Sequence, residues 1–403
     1  LSLVESQTLT IGFQSAEKAS PDMKIAQWCL LIVYGSGILF PALPACAGAA
    51  QATAGDLFSV LKLEQPLLLC GETVPVDRPH VREGFEREML LALGNRPQVI
   101  LWLKRTARYF PHIEQLLREN DLPDDIKYLA VAESALRMHA GSPKGALGVW
   151  QLMPETAIKY GLVVNGSVDE RRNIYLSTPV ALTYLKELYG RFGSWSLSLA
   201  AYNMGEGGIE AEILEQGVSD YYRLYLPLET QRFVLRIMAI KRIIESPHNY
   251  GFRLDADDYY PPETFATIQI HALTELPLRL VAGAAHADFK TIKDLNPELR
   301  GYYLAAGTRM LNIPEEGAPG FQNRLTTMIE ADKKIRNQRL YVVKEGDSLS
   351  EIARQFDVPL MALLIWNRIG IKNVIHPGQR LVIYPATAEK KIERKNNQGD
   401  MER

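Results

Sequence analysis

The residue best placed by type and neighbours to do chemistry is Glu133, in the run Val131-Ala132-Glu133-Ser134-Ala135-Leu136. Asp124 or Asp125 could cap a helix that continues through Tyr128 to Glu133. On such a helix Glu133 follows Ile126, Leu129 and Ala130 by seven, four and three residues. It therefore shares their apolar stripe, while Lys127 and Ser134 take the wet face. A carboxyl on an apolar stripe near a helix C-terminus is disfavoured as an anion by desolvation and by the macrodipole, so its pKa should rise toward that of a general acid. The ordinary alternative is a glutamate that reaches solvent or pairs with Arg137 one turn on. The helix taken alone favours that alternative.

Three further stretches change the balance. Ala140-Gly141-Ser142-Pro143-Lys144-Gly145-Ala146 is followed by Gly148-Val149-Trp150-Gln151-Leu152-Met153-Pro154-Glu155-Thr156-Ala157, and later by Ala201-Tyr202-Asn203-Met204-Gly205. Gly145 and Gly148 suit a backbone that turns tightly or approaches a ligand. Gln151 and Asn203 carry amides matched to N-acetyl and hydroxyl groups. Tyr202 combines an apolar ring face with a hydroxyl. Each has an ordinary reading as a turn glycine, a core side chain or a satisfied tyrosine; their joint order does not.

Together with Glu133-Ser134, these motifs resemble the lytic murein transglycosylases of the goose-lysozyme-like superfamily, over nearly all of residues 74–385. The resemblance implies that Glu133 is the catalytic acid/base and that Ser142, Gln151, Met153, Tyr202 and Asn203 line a sugar groove; no cofactor or metal is expected. It also implies a structural role for Asp169-Glu170-Arg171. The sequence departs from the family at Phe233-Val234-Leu235, where Tyr-Val-Pro is usual, so a hydroxyl contact is missing there. The implied reaction cuts the bond between N-acetylmuramic acid and N-acetylglucosamine without water and leaves a 1,6-anhydro end. Most glycosidases use two carboxylates about 5 to 9.5 Å apart, whereas the matched motifs supply one. Glu155, Glu170, Glu206 and Glu210 are the rival partners, and one of them facing Glu133 would make the protein a hydrolytic muramidase. The other alternative is an inactive peptidoglycan-binding protein.

Around these motifs, apolar residues recur at three and four from Val81 to Ser246, as in Phe85, Met89, Leu90 and Leu93. Pro97, Pro111, Pro123 and Pro154 precede or open segments, and Gly161 and Gly190 follow them. The expected architecture is multidomain: an all-α lysozyme-like catalytic domain over 81–250, then two small βααβ units at 262–316 and 339–386, with a semi-rigid linker at 317–338. The two units are an internal repeat. An offset of 71 residues pairs Leu278 with Leu349, Ala282 with Ala353, Asn296 with Asn367, Gly307 with Gly378 and Arg309 with Arg380. The second unit has Gly346-Asp347, a capping box in Ser348 and Glu351, Trp366-Asn367 and a Pro377-Gly378 turn. It resembles the glycan-binding LysM module, which implies glycan contacts at Gly346, Asp347, Asn367 and Pro377. The first unit lacks the Gly-Asp pair and has Leu295 in place of Trp366, so it reads as a degenerate copy.

The 403 residues carry 45 Lys+Arg against 47 Asp+Glu, a net charge of -2, with no basic patch to hold nucleic acid. The 3 cysteines form no framework and the 7 histidines no metal-ligand spacing. Residues 1–45 read as upstream sequence and a secretory leader starting at Met23, and 46–80 as a tether. Leu43-Pro44-Ala45-Cys46 has two readings, a lipidation site at Cys46 that would anchor the chain to the outer membrane or a simple cleavage region. Either way the expected location is the periplasm, the expected partner peptidoglycan strands and the expected state a monomer. Residues 387–403, almost without apolar side chains, read as a disordered tail.

Overall fold

The computed structural model describes residues 61–62 and 66–384. The expected leader with Met23, Cys46, the first part of the tether and the 387–403 tail lie outside the described residues. Among the described residues no helix is long and apolar enough to cross a membrane. A hairpin of β1 (Leu68–Leu69) and β2 (Glu72–Thr73) leads into α1 (Pro79–Gly94), α2 (Arg96–Glu119) and α3 (Lys127–Ser134). There follow α4 (Pro154–Lys159), α5 (Ile174–Phe192), α6 (Trp195–Met204), α7 (Glu206–Gln216) and α8 (Leu228–Glu245). One apolar core runs through this helical body from Leu67 to Phe252. Leu67, Leu69 and Val74 are buried in it, so residues 67–80, expected as the end of a tether, belong to the body. The hairpin also secures the start of α6, because the Glu72 carboxylate accepts the Trp195 and Ser196 N–H groups at 2.5 and 3.1 Å, where a helix N-terminus favours an anion.

The punctuation was partly misleading. Pro97 and Pro154 open α2 and α4, but Pro111 lies inside α2. An interior proline costs about 3 kcal/mol, yet Val99, Leu103, Phe110, Ile113 and Leu117 bury one face of that helix. At about 1.5–3 kcal/mol per buried side chain, that face outweighs the break. Gly190 is likewise interior, and α5 stops at Gly193, which takes the left-handed conformation at φ 62°.

Past residue 260 come β3 (Ala266–Ala272), β4 (Leu276–Pro277), α9 (Leu278–Ala284), α10 (Phe289–Leu295), β5 (Tyr303–Leu304) and β6 (Gly307–Ile313). β3 pairs antiparallel with β6 and β4 with β5. Then α11 (Phe321–Gln338) precedes β7 (Leu340–Val342), α12 (Leu349–Gln355), α13 (Leu360–Asn367) and β8 (Arg380–Val382), with β7 antiparallel to β8. The offset of 71 carries α9 onto α12 and α10 onto α13. Ile268 stands opposite Leu311 where Leu340 stands opposite Val382, so the first segment has one extra residue between strand and helix. Asn296 and Asn367 do the same work: each donates to a carbonyl one turn back and to the closing strand, and accepts an N–H from that strand. Residues 317–338, expected as a semi-rigid and mostly helical linker, are helical from Phe321 on and pack on the preceding segment. They form α11, whose Phe321 and Leu325 are buried in the core of the 266–313 segment.

Candidate active site

Glu133 sits in the last turn of α3, half-buried, with its pKa pushed up to about 8. Burial is the main cause; the Arg236 guanidinium pulls the other way and Glu229 adds to the rise. The helix is packed on all sides. Lys127 and Ser134, expected on a wet face, are buried: Lys127 Nζ meets Glu114 and Asp124 at 2.7 and 2.5 Å, and Ser134 Oγ donates to Ala130 O at 3.1 Å. Neither Asp124 nor Asp125 caps the helix. Asp125 accepts instead from the Cys70 N–H and Lys241, both at 2.7 Å. Arg137 turns to the Ser134 carbonyl, so the simple Glu133–Arg137 pair is not made. Directly after Glu133 the chain enters the left-handed region twice, at Ala135 (φ 55°) and Leu136 (φ 59°). Neither is glycine, and such local strain is what functional sites tend to hold.

The stretch from Ala140 to Met153 folds into a tight double turn. Gly148 N donates to Ala140 O, Leu147 N to Leu152 O and Ser142 N to Ala146 O. Gly148 (φ 85°) is glycine by necessity, since a Cβ there would lie 1.8 Å from the Arg171 carbonyl. The expected close approach is therefore to the protein's own backbone. Gln151 is also left-handed (φ 47°), and its Nε2 donates to Ala140 O and Gly148 O at 2.9 and 2.7 Å. Its donors thus shape the loop and leave Oε1 for a ligand. Ser142 Oγ accepts the Ala146 N–H at 3.1 Å, again inside the loop. Met153, 38% exposed just before α4, offers a bare apolar face. Arg171 holds the loop from behind, with Nη1 donating to Gly145 O and Leu152 O at 2.8 and 3.0 Å and its fork closed on Asp169 by two bonds of 2.8 Å. Desolvation opposes the Asp169 charge, but the bonds from Arg171 prevail and hold its carboxyl below the usual range.

Tyr202 and Asn203 come from the end of α6. The Tyr202 hydroxyl donates to Trp150 O at 2.7 Å, and its acidity is suppressed by burial and then by the nearby Glu133 charge. Asn203 Oδ1 accepts from Thr230 Oγ1 at 2.9 Å, which leaves its Nδ2 without a partner among the described residues. The end of α6 thus meets the loop through the Tyr202–Trp150 bond, and Tyr202 lies close enough to feel the Glu133 charge. Residues 110–224 match the family described as the transglycosylase SLT domain, and residues 341–383 match the LysM domain. The chain carries a transglycosylase SLT domain and a LysM domain. It is 30% identical over 303 residues to membrane-bound lytic murein transglycosylase D of Escherichia coli K12, covering 72% of this chain and 66% of the relative. The chain thus spans just under two thirds of that relative's length. A 51-residue stretch is 49% identical to the N-acetylmuramoyl-L-alanine amidase XlyA of Bacillus subtilis, covering 12% of this chain and 17% of the amidase. The 70 kDa soluble lytic transglycosylase of Escherichia coli superposes at a TM-score of 0.31 with 19% identity, over 44% of this chain and 33% of that one.

Within the SLT domain and the helix that follows it, the rival carboxylates are engaged elsewhere or solvated. Glu170 accepts the Val163 N–H, Glu206 the Tyr184 hydroxyl at 2.8 Å, Glu210 pairs with Arg191, and Glu155 is exposed. The carboxylate that does influence Glu133 is Glu229, which sequence reading passed over. Arg236 binds Glu229 at 2.8 Å and the buried Glu88 at 3.1 Å, and Arg232 binds Glu88 at 2.6 Å. The signal was the spacing of Glu229, Arg232 and Arg236 along one face of α8. Phe233, at the departure from the family pattern, is core. Two concavities of about 770 and 300 Å³ open beside His80, Tyr222 and Gln231, but Glu133 lines neither. In the LysM domain Gly346 and Pro377-Gly378 make turns, with Gly346 at φ 85° and Gly378 at φ 86°. Asp347 Oδ2 accepts from the Tyr341 hydroxyl and Lys344 N at 2.8 and 2.7 Å. The Asn367 amide donates to Leu363 O and Val382 O and accepts the Val382 N–H, which ties it to the module's own backbone.

Proposed function

We propose that the chain is an exported peptidoglycan lytic transglycosylase whose acid/base is Glu133, with Ser142, Gln151, Met153, Tyr202 and Asn203 shaping the sugar groove. What supports this reading is a carboxyl in the SLT domain whose pKa burial pushes up to about 8, with Tyr202 from the end of α6 close enough to feel its charge and bonded to the loop at Trp150 O. Neutral Glu133 gives its proton to the oxygen linking N-acetylmuramic acid to N-acetylglucosamine, and the bond from that oxygen to the anomeric carbon breaks. Positive charge develops on the anomeric carbon. The Glu133 carboxylate then takes the proton of the muramoyl 6-hydroxyl, whose oxygen bonds to the anomeric carbon and closes the 1,6-anhydro ring. The acid is regenerated and no water is consumed; because the nucleophile belongs to the same sugar, the step gains from proximity.

The LysM domain at 339–386 would hold the enzyme to glycan strands, and the 262–316 unit would be a diverged copy. We place the protein in the periplasm as a monomer, anchored to the outer membrane if Cys46 is lipidated. A second reading, a hydrolytic muramidase, would need Glu229 as its second carboxylate, since its charge reaches Glu133 and Arg236 keeps it below the usual range and so ionised. Glu133→Gln tests the shared core of both readings. Clearing of purified sacculi should fall by about 10²–10⁴-fold, the usual contribution of a general acid. Clearing at the wild-type rate would remove Glu133 from the mechanism.

A further inference from the structure

The 266–313 segment meets the helical body along residues 296–300. Val168 and Leu299 form an antiparallel bridge, Asp169 N donates to Glu298 O and Arg300 N to Ser167 O, both at 2.8 Å. Asn173 Nδ2 donates to Glu298 Oε2 at 2.9 Å, and Arg300 Nη2 reaches Asp169 at 3.5 Å. Val168 itself packs into the apolar core of the segment. Residues 296–299 are all buried, whereas none of residues 367–370, their counterparts in the last unit, is buried.

Two routes lead from this seam to the active-site loop. Asp169 holds the Arg171 fork, and Arg171 holds Gly145 O and Leu152 O. Asn173 caps the start of α5 by accepting the Tyr175 N–H, and one turn on Thr178 Oγ1 accepts from Trp150 Nε1 at 2.9 Å. Glu298 touches the root of both routes, through its backbone oxygen and its carboxylate respectively.

We propose that the 266–313 unit braces the active-site loop, with Glu298 and Arg300 as positioning residues, rather than serving as a second glycan clamp. This rests on the transglycosylase reading for its effect on turnover, though not for its effect on the loop. Misplacement of reacting groups by about 1 Å costs on the order of 10²-fold, so loosening the loop should act on kcat.

The test uses the full chain with Glu298→Ala, Arg300→Ala and the conservative Glu298→Gln, which keeps an acceptor for Asn173. Turnover on soluble glycan, sedimentation with sacculi and hydrogen exchange of the 140–152 amides are measured on each. The brace predicts that Glu298→Ala lowers kcat by about tenfold or more, changes KM by less than about threefold and leaves sedimentation unaltered. It also predicts faster exchange at 140–152 with α8 unchanged, and recovery in Glu298→Gln. Loop exchange and kcat at wild-type values in both alanine variants would overturn it, as would sedimentation falling while kcat holds. If Glu298→Ala loses protection throughout, Arg300→Ala and Glu298→Gln decide by the same criteria. If the wild type itself releases no product, the transglycosylase reading fails, and loop exchange alone decides the brace.

Discussion

Burial and one guanidinium act against each other on Glu133. Burial lifts its pKa to about 8, and Arg236 holds it from rising further. Activity that needs the neutral acid should therefore persist through neutral pH and fall as pH rises through about 8. Arg236→Met should move that falling limb to higher pH, with Arg236→Lys restoring it; an unmoved limb would show that the guanidinium does not act on the acid. The same shift has a sign for stability. An unfolded chain titrates this carboxyl near 4.5, so between 4.5 and about 8 the folded state binds more protons and stability falls with rising pH. Glu133→Gln removes that loss. Its melting temperature should equal wild type below pH 4 and exceed it by several degrees at pH 8, at roughly 2–4 °C per kcal/mol. Equal melting curves at both pH values would mean that Glu133 is ionised in the folded protein.

The loop from 140 to 153 is set by a glycine and an ion pair whose contacts are with the protein itself. Gly148→Ala would drive a Cβ into the Arg171 carbonyl at a left-handed φ, so clearing activity should fall with the loop. Arg171→Ala leaves Asp169 buried without its fork, a loss of about 3–5 kcal/mol, to be read as a drop in the midpoint of urea unfolding. A drop under about 1 kcal/mol would mean that Arg300 suffices for Asp169. The turn itself was largely legible in sequence because its glycines and hydrogen bonds lie within some twenty consecutive residues. Glu229 and Arg236 share one face of α8, which spacing shows; their meeting with Glu88 and their pull on Glu133 were not legible, because those need α1 and α3 packed against α8. The wet face assigned to Lys127 and Ser134 failed for a related reason. On a helix as short as α3 periodicity marks the face that packs first, but neighbours on the other sides bury the rest. Asp124 and Asp125 looked like caps locally, yet each meets a lysine, Lys241 being far along the chain.

At the scale of the chain, the two repeated segments share strands, helices and the buried asparagine, and differ in what covers the edge after the second helix. In the first, residues 296–299 are packed on the SLT domain; in the last, Ile371 and Val374 are 69% and 76% exposed. Removal of residues 339–384 should therefore weaken sedimentation with sacculi while turnover on short soluble glycan stays within about twofold, as expected when a tether supplies effective concentration and not chemistry. Turnover lost in proportion to binding would place the LysM domain in the reaction itself. The claim at the centre is that Glu133 moves a proton twice while water stays out. Digestion of purified sacculi in ¹⁸O-labelled water, followed by mass spectrometry of the released muropeptides, addresses it directly. Anhydro ends without label, absent with Glu133→Gln, are the predicted result; reducing ends carrying ¹⁸O would contradict it and turn attention to Glu229 as the base.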